Sequence, residues 1–287
     1  MPELPEVEAL RSFLDERLPG RVITRVELAA FSALKTHDPS PEALIGLEIS
    51  AVTRHGKFCD IDAQGIHLVF HLARAGWLVW RDQLPETPAR PGKGPLSLRV
   101  GLDDGSGFDL TEAGTQRKLA VYVVTDPATV PGVAALGPDP MDDSFGQQQF
   151  DEILRVAGKA QLKGLLRDQK VIAGIGNAYS DEILHAAKLS PFRPASNLTE
   201  QERVALFEAL KTELREATER ARGLAAKEIK GTKKAHLRVH GRTGEPCDVC
   251  GATIAEVSFA DSSLQYCPVC QTGGKVLADR RMSKLLK

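Results

Sequence analysis

The chain opens with the stretch Pro2-Glu3-Leu4-Pro5-Glu6-Val7-Glu8. Pro5 suits the first turn of a helix, and Glu6 and Glu8 complement the positive end of a helix dipole. An apolar stripe recurs at three- and four-residue steps through Leu4, Val7, Leu10, Leu14 and Leu18. We therefore predict a docked helix that begins almost at the first residue and fixes the amino terminus in space.

Short β-rich runs occupy the chain from Arg21 to about Asp126. Six of them are predicted strands, at residues 22–26, 58–62, 66–70, 77–80, 96–100 and 119–124. Residues 103–107 are predicted to form a hairpin turn, and the proline- and glycine-rich residues 85–95 a loop. Regular short strands joined by turns predict an antiparallel sandwich or barrel.

A proline- and glycine-rich segment, residues 127–140, is predicted to link the β-rich part to a helical part. Residues 150–222 have helical periodicity, and Gly174 and Gly176 lie in an apolar turn just before Asn177. Glycines let a backbone approach a phosphate closely, and Asn177 is predicted to cap the next helix, which would make a phosphate seat. An ordinary helix–turn–helix corner has the same local sequence, so the residues alone leave both interpretations open.

Four of the five cysteines form one pattern, Cys247-x2-Cys250 followed after sixteen residues by Cys267-x2-Cys270. Two close pairs at this separation are typical of a four-thiolate zinc site, and we predict one structural zinc ion per chain. Two disulfides are the alternative, which a reducing compartment disfavours. The remaining cysteine, Cys59, is predicted to be a small buried apolar residue of a strand.

The net charge of −1 conceals an uneven distribution. Residues 220–287 contain 13 Lys and Arg against 6 Asp and Glu, a net of +7, and the rest of the chain carries −8. The basic end fits a polyanion, although a solvated basic surface has the same composition. The chain contains no run of eighteen apolar residues, which a membrane span would need, and no leader pattern that would predict secretion. We therefore expect a cytoplasmic protein without membrane contact.

Four separated motifs occur in a specific order: residues 2–8, 136–140 (Leu-Gly-Pro-Asp-Pro), 163–195 and 241–247 (Gly-Arg-Thr-Gly-Glu-Pro-Cys). With them the chain resembles the formamidopyrimidine-DNA glycosylase / endonuclease VIII family over nearly its whole length, and its opening is closer to the formamidopyrimidine branch. The resemblance implies a multi-domain α+β fold. Its parts are an N-terminal helix with an antiparallel β-sandwich, a helical helix–two-turn–helix domain and a C-terminal zinc-finger hairpin.

The predicted domain boundaries follow from the resemblance and the linker. They are a catalytic β-sandwich domain at residues 1–130, a hinge or linker at 131–149, a DNA-binding helix–two-turn–helix domain at 150–240, a four-cysteine zinc finger at 241–273 and a basic tail at 274–287.

The implied function is base-excision repair by a DNA glycosylase with β,δ-elimination lyase activity at abasic sites. Removal of Met1 would expose Pro2 as a secondary amine, which attacks the sugar carbon bearing the damaged base and leaves a cationic iminium. The pKa of an α-amino group lies near 8 in general, so a neutral fraction exists at neutral pH. Glu3 adjoins this nucleophile and is the expected proton donor and acceptor for sugar-ring opening. Glu6 either supports Glu3 or is an ordinary surface glutamate.

The implied partner is damaged double-stranded DNA, bound by a monomer in the nucleoid. The resemblance matches Lys57 to a hairpin lysine at the lesion phosphate, and it places His71, Lys163 and Asn177 against phosphates flanking an everted nucleotide. Without the resemblance, Lys57 would be read as a solvent-facing strand lysine.

Three positions depart from the family pattern. Arg74 stands where formamidopyrimidine enzymes carry an intercalating methionine, and Arg117 occupies the second wedge position without the following aromatic residue. Ser262 replaces an arginine of the zinc hairpin, so weaker phosphate contact is expected there. The tail after Cys270 is longer than usual, and its basic residues either replace the lost contacts or form a disordered terminus. These residues are Lys275, Arg280, Arg281, Lys284 and Lys287.

The substrate of a glycosylase is left open by the sequence. The opening motif favours guanine-derived lesions, whereas the altered wedge favours oxidised pyrimidines or abasic sites.

Two other functions compete with a glycosylase. A catalytically weak binder of damaged DNA that kept the fold would explain Ser262 but not the joint presence of Pro2, Glu3 and Lys57. A zinc-ribbon transcription accessory protein would explain only residues 241–287.

Overall fold

The computed structural model describes residues 1–92, 94–114, 116–260 and 262–278. The chain divides into two compact units, residues 1–136 with 218–232 and residues 137–217 with 233–287. The strands are β1 Ile23–Leu28, β2 Ile49–His55, β3 Phe58–Ala63, β4 Ile66–His71, β5 Gly76–Arg81, β6 Leu96–Leu102, β7 Gly107–Glu112, β8 Ala120–Val124, β9 Ala255–Ser258 and β10 Ser263–Tyr266. The helices are α1 Leu4–Asp15, α2 Pro131–Ala134, α3 Gln147–Ala157, α4 Leu162–Arg167, α5 Asn177–Ala186, α6 Glu200–Ala221, α7 Ala226–Thr232 and α8 Pro268–Thr272.

The first unit is a sandwich of two four-stranded antiparallel sheets, in the orders β1-β6-β7-β5 and β2-β3-β4-β8. Leu98 and Leu110 of one sheet share a buried cluster with Ile61 and Phe70 of the other. Alternating side chains thus supply one core from both sheets. The predicted antiparallel sandwich and the predicted multi-domain α+β fold are confirmed.

Helix α1 covers this core, and its predicted stripe is buried throughout from Leu4 to Leu18. Helix α7 joins the same unit through Ile229 in the core and through the Trp77 Nε1–H, which donates to the Ala226 carbonyl at 2.8 Å. The sequence placed residues 218–232 in the helical domain at 150–240, and the structure groups them with the sandwich.

Within the first unit, strands β2 and β7 lie where no strand was predicted. In β7, the acidic residues Asp109 and Glu112 are buried, which a pattern of apolar alternation does not anticipate. The hairpin turn before it is present at residues 103–106, with the Leu102 N–H donating to Ser106.

The second unit has its own apolar core, to which α3, α4, α5 and α6 contribute. Its carboxyl-terminal part is the two-stranded hairpin β9–β10, flanked by the two cysteine pairs. The predicted linker at 131–149 spans the boundary between the units, and Phe145 within it is buried in the second core. Among the described residues, no helix has the length and apolar character to cross a membrane.

Candidate active site and zinc centre

The amino-terminal motif begins helix α1 with an internal carboxylate bridge. Glu3 is the N-cap residue and Glu6 the third helical residue, and the Glu3 N–H donates to Glu6 Oε2 at 2.8 Å. Both glutamates are buried, so the alternative of Glu6 as a surface residue is wrong. This reciprocal cap fixes the backbone beside Pro2, and it sets a buried carboxylate next to the position where the chain's amine would lie after removal of Met1.

Lys57 lies in the turn between β2 and β3, and it is buried rather than solvent-facing. Arg54 ties this turn to α1, because its Nε donates to Glu8 at 2.8 Å and its Nη1 to the Gly56 carbonyl at 2.9 Å. The helix that starts at Pro2 and the turn that carries Lys57 are therefore held together by one guanidinium.

His71 closes β4 directly opposite Phe58, the neighbour of Lys57, and the two rings are in tilted contact, with 4.7 Å between their centroids and 47° between their planes. Burial, with a further contribution from the charge of Lys57, lowers the pKa of His71 to about 4. Its Nδ1 accepts the Ala73 N–H at 3.1 Å, which leaves the proton of the neutral ring on Nε2. His71 is thus an uncharged N–H donor beside a lysine.

Arg74 is exposed at the tip of the loop between β4 and β5. The loop is tight, since the Gly76 N–H donates to the Leu72 carbonyl at 2.9 Å. A Cβ at Gly76 would come within 2.2 Å of that oxygen, so only glycine fits. The fold therefore presents Arg74 outward from a rigid base, consistent with its predicted contact to DNA.

Arg117 lies in the loop between β7 and β8, where its Nη2 donates to the Gly94 carbonyl at 2.7 Å. The loop returns to the sheet through Glu112, a buried carboxylate that accepts the N–H groups of Lys118 and Leu119 at 2.9 Å each. Glu112 was not singled out from the sequence. It fixes the end of the loop that displays Arg117.

In the second unit, Lys163 is buried and its ammonium donates to Asp181 at 2.6 Å and to the Asn177 carbonyl at 2.7 Å. Helix α5 starts at Asn177 with Gly176 as its N-cap, so the prediction that Asn177 caps the helix is wrong. The Asn177 amide instead donates to the Ser263 carbonyl at 2.7 Å. Contacts of Lys163 and Asn177 with phosphate stay predictions, and an amide nitrogen keeps a second hydrogen for one.

The four paired cysteines converge, with their sulfurs all within 4.8 Å of one another. The Sγ–Sγ distances are 3.4 Å for Cys250–Cys267 and 4.0 Å for Cys247–Cys270. Tetrahedral zinc with Zn–S bonds of about 2.3 Å needs sulfurs about 3.8 Å apart, so these residues fit one zinc ion. All five cysteines are free thiols, which excludes the disulfide alternative, and Cys59 is buried in the sandwich core as predicted.

Three family models match successive parts of the chain. They are the formamidopyrimidine-DNA glycosylase N-terminal domain over residues 1–119, the formamidopyrimidine-DNA glycosylase H2TH domain over 136–228 and the zinc finger found in FPG and IleRS over 244–273. The chain belongs to the formamidopyrimidine-DNA glycosylase family. The matched models cover parts of both units, and the third of them covers the zinc hairpin.

Individual family members align along most of the chain. A formamidopyrimidine-DNA glycosylase of Herpetosiphon aurantiacus is 36% identical over 286 residues, covering 94% of this chain and all of that protein. An uncharacterised formamidopyrimidine-DNA glycosylase-like protein of Mycobacterium tuberculosis is 54% identical over 162 residues, covering 56% of this chain and 99% of that protein.

Solved structures of the family superpose well. The Lactococcus lactis enzyme bound non-covalently to DNA with an abasic site has a TM-score of 0.81 at 27% identity, covering 94% of this chain and 99% of that one. The same enzyme with DNA containing N7-benzyl-Fapy-dG has a TM-score of 0.83 at 26% identity, covering 94% and 100%.

Ser262 and the basic tail are the remaining departures from the family pattern. The backbone carbonyl of Ser262 accepts the Phe259 N–H at 2.7 Å at the tip of the zinc hairpin. Of the basic tail residues, Lys275 is described, and Arg280, Arg281, Lys284 and Lys287 lie outside the described residues.

Replacement of Cys267 by serine is expected to reduce bound zinc from one ion per chain to nearly none. Hydrogen exchange of residues 244–273 should then rise strongly while the sandwich strands stay protected, because the finger has a small core that zinc must complete. Metal analysis and hydrogen-exchange mass spectrometry measure both effects. Cys59→Ala is the matched control and should retain the zinc; an unchanged finger after verified zinc loss would contradict the prediction.

Proposed function

We propose that this family member is a bifunctional DNA glycosylase and abasic-site lyase that acts on oxidised bases in duplex DNA through the amine of Pro2. The observation that carries the proposal is the start of α1. Its cap holds the backbone beside Pro2 and buries Glu3 there, so an amine and a carboxylic acid lie on adjacent, immobilised residues. Nucleophile and acid catalyst need this fixed proximity.

The chemistry balances with these two groups. The Pro2 nitrogen bonds to C1′ as the C1′–base bond breaks, and the base leaves with the electron pair and takes up a proton. The amine loses its proton, and its lone pair forms the iminium as the C1′–O4′ bond breaks, with Glu3 giving O4′ a proton. Loss of the C2′ proton then expels the 3′ phosphate, and loss of the C4′ proton expels the 5′ phosphate. Water finally hydrolyses the remaining iminium, which breaks the bond between C1′ and the Pro2 nitrogen and releases the amine.

The proposed DNA contacts rest on charge and position. Lys57 supplies a buried cation beside His71, a neutral N–H donor, which together suit one phosphate group. Arg74 and Arg117 lie on loops whose ends are fixed by hydrogen bonds. From there a guanidinium could fill the space that an everted nucleobase leaves in the duplex. The DNA-bound structures of the Lactococcus lactis relative support duplex DNA as the partner, and we expect the chain to bind it as a monomer.

Zinc has no part in these steps. The four cysteines would hold it as a structural ion in the second unit, where it stabilises the hairpin that displays Ser262.

The test is single-turnover reaction with borohydride on duplexes that carry 8-oxoguanine, a formamidopyrimidine, an oxidised pyrimidine or an abasic site. A trapped covalent complex with the abasic duplex and excision of at least one oxidised base are expected. The ranking of the three lesions identifies the preferred base. A protein that is shown to lack Met1, and that binds the duplexes without trapping or cleavage, would contradict the proposed enzymatic activity. That result would favour the alternative of a damaged-DNA binder, which the loss of charge at Ser262 also favours.

A further inference from the structure

Helix α5 carries a row of buried polar side chains that the proposed catalysis does not use. Asp181, Glu182 and His185 are all buried, although charged residues are rarely buried without partners. Each of them contacts the polypeptide that forms or approaches the zinc centre. The partners show what the row does.

Two carboxylates hold the segment leading into the first cysteine pair. Glu182 accepts the backbone N–H groups of Arg238, Val239 and His240 at 2.7, 3.0 and 2.8 Å. Asp181 pairs with the His240 ring at 2.7 Å. The approach to Cys247 is therefore docked on α5 by charge-assisted hydrogen bonds in a buried setting.

His185 reaches a zinc ligand itself. Its Nε2 lies 3.3 Å from the Cys247 sulfur, and both residues are buried. A zinc-bound cysteine is a thiolate with no proton to give, so the imidazole N–H has to be the donor in this contact. Among the described residues, His185 Nδ1 has no hydrogen-bond partner, and the opposite tautomer would leave an N–H buried there without an acceptor.

We propose that His185 is a positioning residue of the zinc centre, whose Nε2–H donates to the Cys247 thiolate and fastens the ion to α5. Four thiolates around Zn²⁺ carry excess negative charge, and donors to sulfur disperse it and orient the ligand. The backbone N–H of Cys270 is such a donor to Cys267, from within the finger. His185 provides one from outside it.

This contact links the zinc to the other end of the same helix. Asn177 begins α5 and His185 lies eight residues on, about 12 Å along a rigid helix. The Asn177 amide holds the start of β10 through Ser263, so the helix grips the finger at both ends. Retention of the metal and placement of the amide predicted to contact phosphate would thus depend on one element.

The experiment compares wild type, His185→Phe and His185→Gln in the full-length zinc protein and after cobalt substitution. Phenylalanine fills the space without a donor, and glutamine restores an N–H near the Nε2 position. We expect His185→Phe to release zinc to a chromogenic chelator about tenfold faster. Its thiolate-to-cobalt charge-transfer band should shift to longer wavelength, because sulfur lone pairs without the N–H rise in energy. His185→Gln should largely restore both values.

His236→Phe, at an exposed position of the same unit, controls for the substitution itself. Equal release rates and bands for wild type and His185→Phe would overturn the proposal, as would equal defects in the Phe and Gln variants, which indicate packing alone. If His185→Phe does not fold, His185→Leu supplies the site without the donor. A cobalt band of His185→Gln that is displaced from wild type as far as the band of His185→Leu would overturn the proposal, and a band close to wild type would support it. Neither readout uses DNA, so the result is independent of the proposed catalysis.

Discussion

Substitution of Pro2 by glycine is expected to remove nearly all of the borohydride-trapped complex and to slow base excision by about 10³-fold, which is less than the roughly 10⁶-fold loss that outright removal of a covalent nucleophile can cause. Glycine still permits removal of Met1 and still offers an amine. Its imine is neutral until it gains a proton, however, whereas the proline iminium is permanently charged. Glycine also frees the φ angle that the proline ring fixes ahead of the α1 cap.

The measurement is single-turnover trapping on an abasic duplex, with the mature amino terminus verified by mass spectrometry. Pro19→Gly is the matched control, because it makes the same exchange just past the other end of α1 at an exposed turn. It should trap like wild type. Undiminished trapping by Pro2→Gly would contradict the expected need for the proline ring. Mass spectrometry of the trapped peptide would then show whether the glycine amine or another amine attacks the sugar, and Lys57→Gln would test the buried lysine in that role.

Patterns within a few residues of each other were predictable from the sequence. The cysteine spacing gives the zinc ligands because metal geometry constrains both pairs, and the stripe from Leu4 to Leu18 gives α1 because one face must be buried. The sandwich followed from short strands and turns. These features depend on local periodicity, which the sequence contains in full.

The contacts of buried polar side chains were not predictable, because the groups that they bind lie far away in the chain. His185 contacts Cys247, 62 positions later, and Glu182 binds backbone groups more than 55 positions later. In sequence, such residues on a helix look like an ordinary solvated face. Glu112 was missed for a different reason: its partners lie only six and seven positions later, but an acidic residue at a strand end normally faces water.

The candidate catalytic group shows both cases at once. Pro2 and Glu3 were predicted by resemblance, but nothing in the sequence distinguished a supporting Glu6 from a surface one. The structure decides this through a single 2.8 Å bond from the Glu3 N–H to the Glu6 carboxylate. A capping box is a common helix start, and here it would also immobilise the proposed catalytic residues.

Replacement of Glu3 by glutamine is expected to separate the two proposed activities. Base excision should fall by about 10²- to 10⁴-fold, the usual contribution of a positioned general acid. Cleavage at a preformed abasic site should fall far less, because an abasic sugar already equilibrates with its open-chain aldehyde and so needs no acid to open the ring. Glutamine keeps the size and the hydrogen-bonding oxygen of the N-cap side chain, so α1 should still start at Leu4.

The decisive comparison is the ratio of excision on an oxidised base to trapping on an abasic site, measured for Glu3→Gln, Glu16→Gln and wild type. Glu16 lies exposed at the far end of α1, so its variant makes the same loss of charge in the same helix without approaching Pro2. A ratio lowered by two orders of magnitude in Glu3→Gln alone supports Glu3 as the acid for ring opening. Equal losses on both substrates would instead make Glu3 a structural cap, since a displaced Pro2 amine slows every step that it enters.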